Sequence, residues 1–199
     1  MSNFLLNNNE INSNIVKNIL LMLKRRGEID NNNEIFESLQ SDMKNTTVFS
    51  FTSNNKKFGI YIINSKLNSI ISKSPLDEYL NTNLDMRKFI IIDSPSKRAV
   101  KQIFDSYKNC EFFFVREMIG DLCSKVFIPE HKILNEEQKN NLLKRIKLNE
   151  LSVILTSDVM SRYYNANPND VFRIKRPNMT TGYSIFYRVV VKGKVDNLF

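Results

Sequence analysis

Phe89-Ile90-Ile91-Ile92-Asp93-Ser94-Pro95-Ser96-Lys97-Arg98 sets the pattern of the first part of the chain. Four consecutive large apolar residues, halted by a polar run, mark a strand buried on both faces, because a half-exposed strand would alternate. In the polar run Ser94 can cap a helix, and Pro95 can occupy its first turn, where a missing amide hydrogen costs little. Val100, Ile103, Phe104 and Tyr107 then recur at helical spacing and give that helix a buried face. Glu111 to Val115 read as a second central strand.

Working towards the amino terminus, Thr47 to Phe51 and Phe58 to Ile63 have strand character, with Asn54-Asn55-Lys56-Lys57 as the polar turn between them. A helical segment is expected around Leu67, Ile70 and Ile71, interrupted at Pro75. Ile11, Ile15, Val16, Ile19, Leu20 and Leu23 predict an amphipathic helix ending in Lys24-Arg25-Arg26-Gly27. Cations in the last turn complement the helix dipole and glycine terminates it. A shorter helix from Glu34 turns Ile35, Phe36 and Leu39 inward. Strand, helix, strand, helix, strand is an α/β pattern, so residues 1–122 are expected to form a small mixed sheet flanked by helices.

A second, smaller α+β unit is expected over 123–199. Lys125 to Ile128 read as an extended segment leading to Pro129. Asn135-Glu136-Glu137 cap a helix with Leu142, Leu143 and Ile146 inward. A short helix follows over Asp158 to Tyr164, then strands over Val171 to Lys175 and Tyr183 to Val191, joined by a turn containing Pro177 and Gly182. The chain as a whole is α/β in its first part and α+β overall.

Composition narrows the function classes. The chain has 199 residues, 42% of them apolar and 25% charged, ordinary values for a globular protein with a substantial core. Apolar runs such as Ile19 to Leu23 are far too short to cross a bilayer, so no membrane is expected as a partner. No basic stretch followed by an apolar core opens the chain, so no secretory signal is expected. Cys110 and Cys123 with the single histidine, His131, cannot supply a tetrahedral zinc set, and the two thiols are expected to be reduced. The net charge of +8 is uneven: residues 123–199 hold 13 Lys and Arg against 7 Asp and Glu, whereas residues 1–122 hold 16 against 14. A basic half suits a nucleic acid or an acidic protein surface, and charge does not choose between them.

Catalytic motifs are absent from the sequence. It contains no GxGxxG, no GxxxxGK followed by Ser or Thr, no HExxH and no GxSxG, and five glycines leave little for a phosphate-cradling loop. Asp42-Met43-Lys44, Glu130-His131-Lys132 and Glu137-Gln138-Lys139 match the acidic-x-Lys triplet of some metal-dependent nucleases. All three fall in expected loops or helices, and no second carboxylate aligns with them, as two-metal chemistry requires. No cofactor is implied. Ser94-Pro95-Ser96-Lys97-Arg98 offers helix-start amides, a positive dipole end and two cations, a ready phosphate site as well as an ordinary capped helix with a solvated turn. Tyr163-Tyr164 and the cluster Arg173, Lys175, Arg176 fit core aromatics beside a solvated strand face; stacking on bases is the other use of such residues. Alternation puts Arg173 and Lys175 on one face of their strand and Phe172 and Ile174 on the other.

Read in order, Phe127-Ile128-Pro129-Glu130-His131, Glu136-Glu137, Asp158, Arg162-Tyr163, Arg176-Pro177, Thr180, Gly182 and Tyr187-Arg188 resemble the assembly domain of the fifth subunit shared by eukaryotic nuclear RNA polymerases, which has a small archaeal counterpart. The series is long and collinear, and that gives it specificity. The first half is similar more weakly, in Arg26-Gly27, the Phe89 to Ile92 strand and the Ser94-Pro95-Ser96 turn. Val159 stands where the family commonly has proline, and Asn165 and Asn169 where it has glycine. Asparagine tolerates the left-handed backbone better than most residues, so the turns can survive.

The resemblance implies a non-catalytic polymerase subunit made of a jaw, 1–122, and an assembly domain, 123–199. It implies docking on the largest polymerase subunit, near the sixth small subunit, with the jaw beside downstream duplex DNA. Ser94, Pro95, Ser96, Lys97 and Arg98 would then meet the DNA backbone. Pro129, Glu130, His131, Arg162, Arg176, Pro177, Tyr187 and Arg188 would form the assembly surface. No obligate homo-oligomer is implied. The nucleus is the implied compartment for a cellular protein, and the cytoplasmic virus factory and virion for one from a large DNA virus, a lineage the Asn-rich sequence would suit. The alternative reading is a stand-alone basic nucleic-acid-binding protein, with a metal-dependent nuclease as a more distant one.

Overall fold

The computed structural model describes residues 8–40 and 46–198, and the chain divides into two compact units, 1–121 and 122–199. The first unit is built on a four-stranded sheet in the order β1 (Val48–Ser53), β2 (Lys56–Leu67), β3 (Arg87–Pro95), β4 (Cys110–Phe114). The β1–β2 hairpin is antiparallel, and β2–β3 and β3–β4 are parallel. Lys88 to Ile92 are buried on both faces of β3, as the unbroken apolar run requires.

Helices cover both faces of this sheet. Helix α1 (Asn8–Arg25) buries Ile15, Val16, Ile19, Leu20 and Leu23. It closes in a Schellman arrangement: Gly27 adopts φ +70°, its amide donates to the Lys24 carbonyl, and the Glu28 amide donates to the Leu23 carbonyl at 3.0 Å. Helix α2 (Asn32–Gln40) packs on α1. Arg26, with its side chain almost wholly buried, pairs with Glu111 at 2.7 Å, and Arg87 bridges Glu111 and Glu28 at 2.6 Å each. This network fastens the end of α1 to β3 and β4. On the opposite face lie α3 (Pro75–Asn81) and α4 (Lys97–Ser106), linked by a Tyr107 hydroxyl that donates to Asp77 at 2.6 Å. Lys88 reaches α3 from the sheet, donating to the Leu80 and Thr82 carbonyls at 2.6 and 2.5 Å. It thereby satisfies carbonyls that a helix end leaves without partners.

Several expectations for this unit need correction. The segment around Leu67 is not helical: β2 continues to Leu67 because its far end pairs in parallel with Ser94 and Pro95 of β3. That pairing also moves the start of α4. Ser94 and Pro95 finish the strand, and Ser96 is the cap, its hydroxyl accepting from the Ala99 amide at 3.1 Å. The Ser-Pro helix start occurs instead at Ser74-Pro75, where Ser74 caps α3 and Pro75 opens it rather than interrupting a helix. Two identical dipeptides thus take opposite roles, because only Ser94-Pro95 has a neighbouring strand to extend. Phe104 is 43% exposed and not part of the buried face of α4. Val115 begins a one-turn helix, α5 (Val115–Met118), rather than ending β4.

The second unit is a four-stranded sheet in the order β5 (Glu130–Ile133), β7 (Val171–Asn178), β8 (Gly182–Val191), β6 (Ser152–Leu155). Strand β6 runs parallel to β8 and the other pairs are antiparallel. One face buries Ile154, Phe172, Ile174 and Val190 beneath Tyr164 and Ala166 near α7 (Val159–Tyr163). The other buries Leu151, Val171 and Val189 beneath Leu142 of α6 (Glu136–Leu143) and Leu134.

Here too some expectations fail. Lys125 to Ile128 form a turn, closed by the Ile128 amide donating to the Lys125 carbonyl, not an extended segment. Glu130 to Ile133 are a strand, so β5 intervenes between Pro129 and the helix. Asn135 does cap α6, in a reciprocal box with Gln138. Leu142 and Leu143 are only half-buried, and Ile146 lies beyond the helix and is exposed. Strand β6 had no reading of its own in the sequence. Asn165 and Asn169 adopt φ +50° and +74°, so asparagine does take the left-handed turns expected of it.

Candidate functional site

The first candidate surface is the turn from β3 into α4. Its position follows from the sheet: the parallel strands β2 and β3 end together, with Lys66 beside Ser94, and the Ser96 amide donates to the Leu67 carbonyl at 2.8 Å. The Ser96 hydroxyl also bonds the Asn68 carbonyl, so the cap is held from both sides. Lys66, Ser94, Lys97, Arg98 and Lys101 are exposed. No acidic residue sits in the first turn of α4. Cations at a helix start oppose the helix dipole, an arrangement that an external anion relieves. Ser94 itself donates to Asp93 at 3.0 Å, so its hydroxyl is engaged within the turn.

The second candidate surface lies on the 122–199 unit, and the sheet divides its residues between two faces. Register pairs share a face. His131 opposite Ile174, Arg176 opposite Ser184, and Arg188 opposite Phe172 therefore lie on the α7 face. Glu130, Pro177 and Tyr187 lie on the α6 face. Arg162 is on α7, its Nε donating to the Ser157 carbonyl at 3.1 Å. The eight residues expected to form one surface thus form two.

On the α7 face the His131 ring meets Phe172 edge-on at 5.7 Å, and its Nδ1 bonds the Pro129 carbonyl at 2.7 Å. Burial holds its pKa below the ordinary histidine value. The Pro129 carbonyl and Asp158 oppose that shift, and the Arg188 and Arg176 charges add to it. Arg176 lies over the Phe186 ring at 5.6 Å. On the α6 face Lys175 lies 4.5 Å above the Tyr183 ring, and Pro129, Glu130 and Pro177 meet in a hollow of about 350 Å³ with Val126 and Tyr183. Val126, Phe127 and Met179 are almost fully exposed. The cluster Arg173, Lys175, Arg176 is divided, the first two on the α6 face and Arg176 on the α7 face.

Among the described residues no three His, Cys, Asp or Glu side chains converge on a point where an ion could bind. Glu130-His131-Lys132 lies on β5, not in a loop, and its alternation sends Glu130 and His131 to opposite faces. Glu137-Gln138-Lys139 lies on α6, and Asp42-Met43-Lys44 falls outside the described residues. Neither Cys110 nor Cys123 is in a disulfide, and the Cys123 sulfur lies 3.7 Å from the Tyr164 hydroxyl. No helix of the described residues is long and apolar enough to cross a membrane.

Residues 121–190 match the family described as RNA polymerase Rpb5, C-terminal domain. This span nearly coincides with the second unit. Over 188 residues the chain is 27% identical to DNA-directed RNA polymerase subunit 5 of Acanthamoeba polyphaga mimivirus, covering 89% of this chain and 90% of that one. It is 43% identical over 74 residues to DNA-directed RNA polymerase subunit Rpo5 of Thermococcus onnurineus, covering 36% of this chain and 90% of the archaeal one. It is 33% identical over 99 residues to the Dictyostelium discoideum subunit rpabc1 of DNA-directed RNA polymerases I, II, and III, covering 48% of this chain and 50% of that one.

Proposed function

The chain belongs to the subunit 5 family of DNA-directed RNA polymerases, and from that premise we propose that it docks on the largest polymerase subunit and helps to hold downstream duplex DNA. Membership makes it an accessory polymerase subunit, not the catalytic one, and carries assembly with other polymerase subunits. In this proposal residues 123–199 are the assembly domain, beside the sixth small subunit, and residues 1–122 are the jaw. The observation that carries the DNA half is the helix start at Ser96, Lys97 and Arg98, cationic where the helix dipole is already positive. Such a start can hold a phosphate without reading sequence, which suits an enzyme that must move along any template.

A reconstituted elongation complex tests both halves. Lys97→Glu with Arg98→Glu is expected to leave assembly intact and to weaken downstream DNA holding, with a shallower salt dependence because fewer counterions are released; unchanged salt sensitivity rejects the contact. Replacing Arg176, Tyr187 and Arg188 with alanine is expected to weaken capture of the largest subunit by the folded protein. Undiminished capture removes those residues from the docking surface. Viral and eukaryotic relatives fit either a virus factory and virion or a nucleus as the site of action, wherever the cognate polymerase works. A purified monomer that shifts duplex DNA at physiological salt and captures no polymerase subunit would favour the stand-alone nucleic-acid-binding reading.

A further inference from the structure

The α6 face of the second unit carries a groove of about 690 Å³ with an apolar floor and a cationic rim. Leu134, Leu142 and Tyr187 form the floor, at the edge of the cluster centred on Val171 and Val189. Lys144, Arg145 and Arg173 line the rim. No carboxylate among the described residues pairs with any of these three, although acidic groups elsewhere in the chain are used in ion pairs. Lys144 bonds the neutral Asn141 side chain, at 3.0 Å.

The sheet adds a second, independent observation. Lys132 of β5 lies directly opposite Arg173 of β7, and Tyr187 flanks Arg173 on the other side. Two like charges facing each other across an antiparallel pair destabilise a sheet. Three cations therefore line one groove without a carboxylate partner among the described residues, with Lys132 beside Arg173, and the Lys132–Arg173 repulsion is one that an anionic partner would relieve.

We infer that this groove is a docking site for an acidic, apolar-containing peptide segment of a partner polypeptide, Asp or Glu meeting the rim and a Leu- or Phe-like side chain the floor. The guanidinium forks of Arg145 and Arg173 match carboxylates in bidentate geometry. The apolar floor favours a peptide over nucleic acid. A phosphate backbone has no apolar group to place there, and the α6 face offers a pocket rather than an extended cationic track. The inference deepens the assembly reading, on which it rests for the partner's being another polymerase subunit.

The test uses the full chain and a fluorescein-labelled octapeptide of alternating Glu and Leu, read by anisotropy. Its Gln–Leu counterpart and a labelled 20-base-pair duplex are run in parallel. The acidic peptide is expected to bind, the neutral one to bind at least tenfold more weakly, and Arg145→Glu with Arg173→Glu to lower acidic-peptide affinity at least tenfold. Lys144→Glu with Arg145→Glu alters only exposed residues, and it is expected to give a similar loss without touching the sheet. Failure of the wild type to bind the acidic peptide overturns the proposal. So does equal loss for the Gln–Leu peptide, or duplex binding that the same substitutions abolish while the peptide is unaffected. Co-purification of polymerase subunits with the tagged wild type reads the assembly premise separately: subunits recovered without peptide binding sink the groove alone, and peptide binding without subunits sinks the premise alone.

Discussion

The two units solve the same packing problem with different means. In the first, a strand buried on both faces is sandwiched between helices, Arg26, Arg87, Glu28 and Glu111 neutralise one another, and the buried Lys88 is held by the Leu80 and Thr82 carbonyls. In the second, the sheet is covered by two short helices, α6 contributes no fully buried residue, and cations gather on its face unopposed. The first unit also exposes cations, among them Lys66, Lys97, Arg98 and Lys101 around the turn into α4. The second leaves Val126, Phe127 and Met179 exposed, together with cations without carboxylate partners among the described residues, features of a contact surface. The contrast agrees with the family match falling on residues 121–190.

Cutting into either core should break this contrast most. Phe172 is fully buried and touches His131 and Tyr164, so Phe172→Ala is expected to cost about 3–5 kcal/mol. Hydrogen exchange read by mass spectrometry should show the loss in 122–199 and not in the first sheet. Removing the acid between two arginines comes next. Glu111→Ala takes from the buried Arg26 its nearest carboxylate, leaving Glu28 at 3.7 Å, and is expected to cost about 3 kcal/mol, with protection lost along β3, β4 and the end of α1. A similar loss in both units would show that they do not stand independently.

A smaller effect sharpens the reading of the basic turn. Ser96→Ala removes the cap of α4 and is expected to cost about 1 kcal/mol in urea unfolding, whereas Ser94→Ala should cost much less, since Ser94 caps nothing. Equal costs would return the cap to Ser94.

The smallest signal comes from His131, the single histidine and hence a clean proton resonance. Its titration midpoint should fall below the ordinary 6.5, chiefly through burial. With the folded pKa depressed, the unfolded chain binds the proton more readily between the two values. The contribution to stability is therefore complete above pH 6.5 and is lost as pH falls through the folded pKa. A midpoint at or above 6.5 would place the ring in solvent and detach it from Phe172.

Much of the fold could be read from residue patterns because those patterns report local physics. The run Phe89 to Ile92 announces a strand buried twice, the stripe from Ile15 to Leu23 announces α1, and Gly27 ends it with a backbone conformation few other residues accept. Asparagine at 165 and 169 could likewise be trusted to turn left-handed. The candidate sites were legible as residues rather than as surfaces. Arg176 and Tyr187 belong to one motif series, yet one faces α7 and the other α6, and Lys144 and Arg145 carried no signal until α6 was laid over Arg173 and Tyr187.

Residue patterns alone therefore establish the class of each unit, the family, and the elements whose boundaries are set by residues within a turn of one another. Tertiary packing settles every feature that depends on a strand's neighbour. Ser94-Pro95 ends a strand because β2 lies alongside it, while Ser74-Pro75, with no strand beside it, starts a helix. Lys132 and Arg173, distant in the chain, face one another because β5 and β7 pair in register, and α6 brings Lys144 and Arg145 to the groove beside Arg173. Hydrogen-bond pairing across a sheet joins residues with no fixed separation along the chain, and a local pattern carries no record of it.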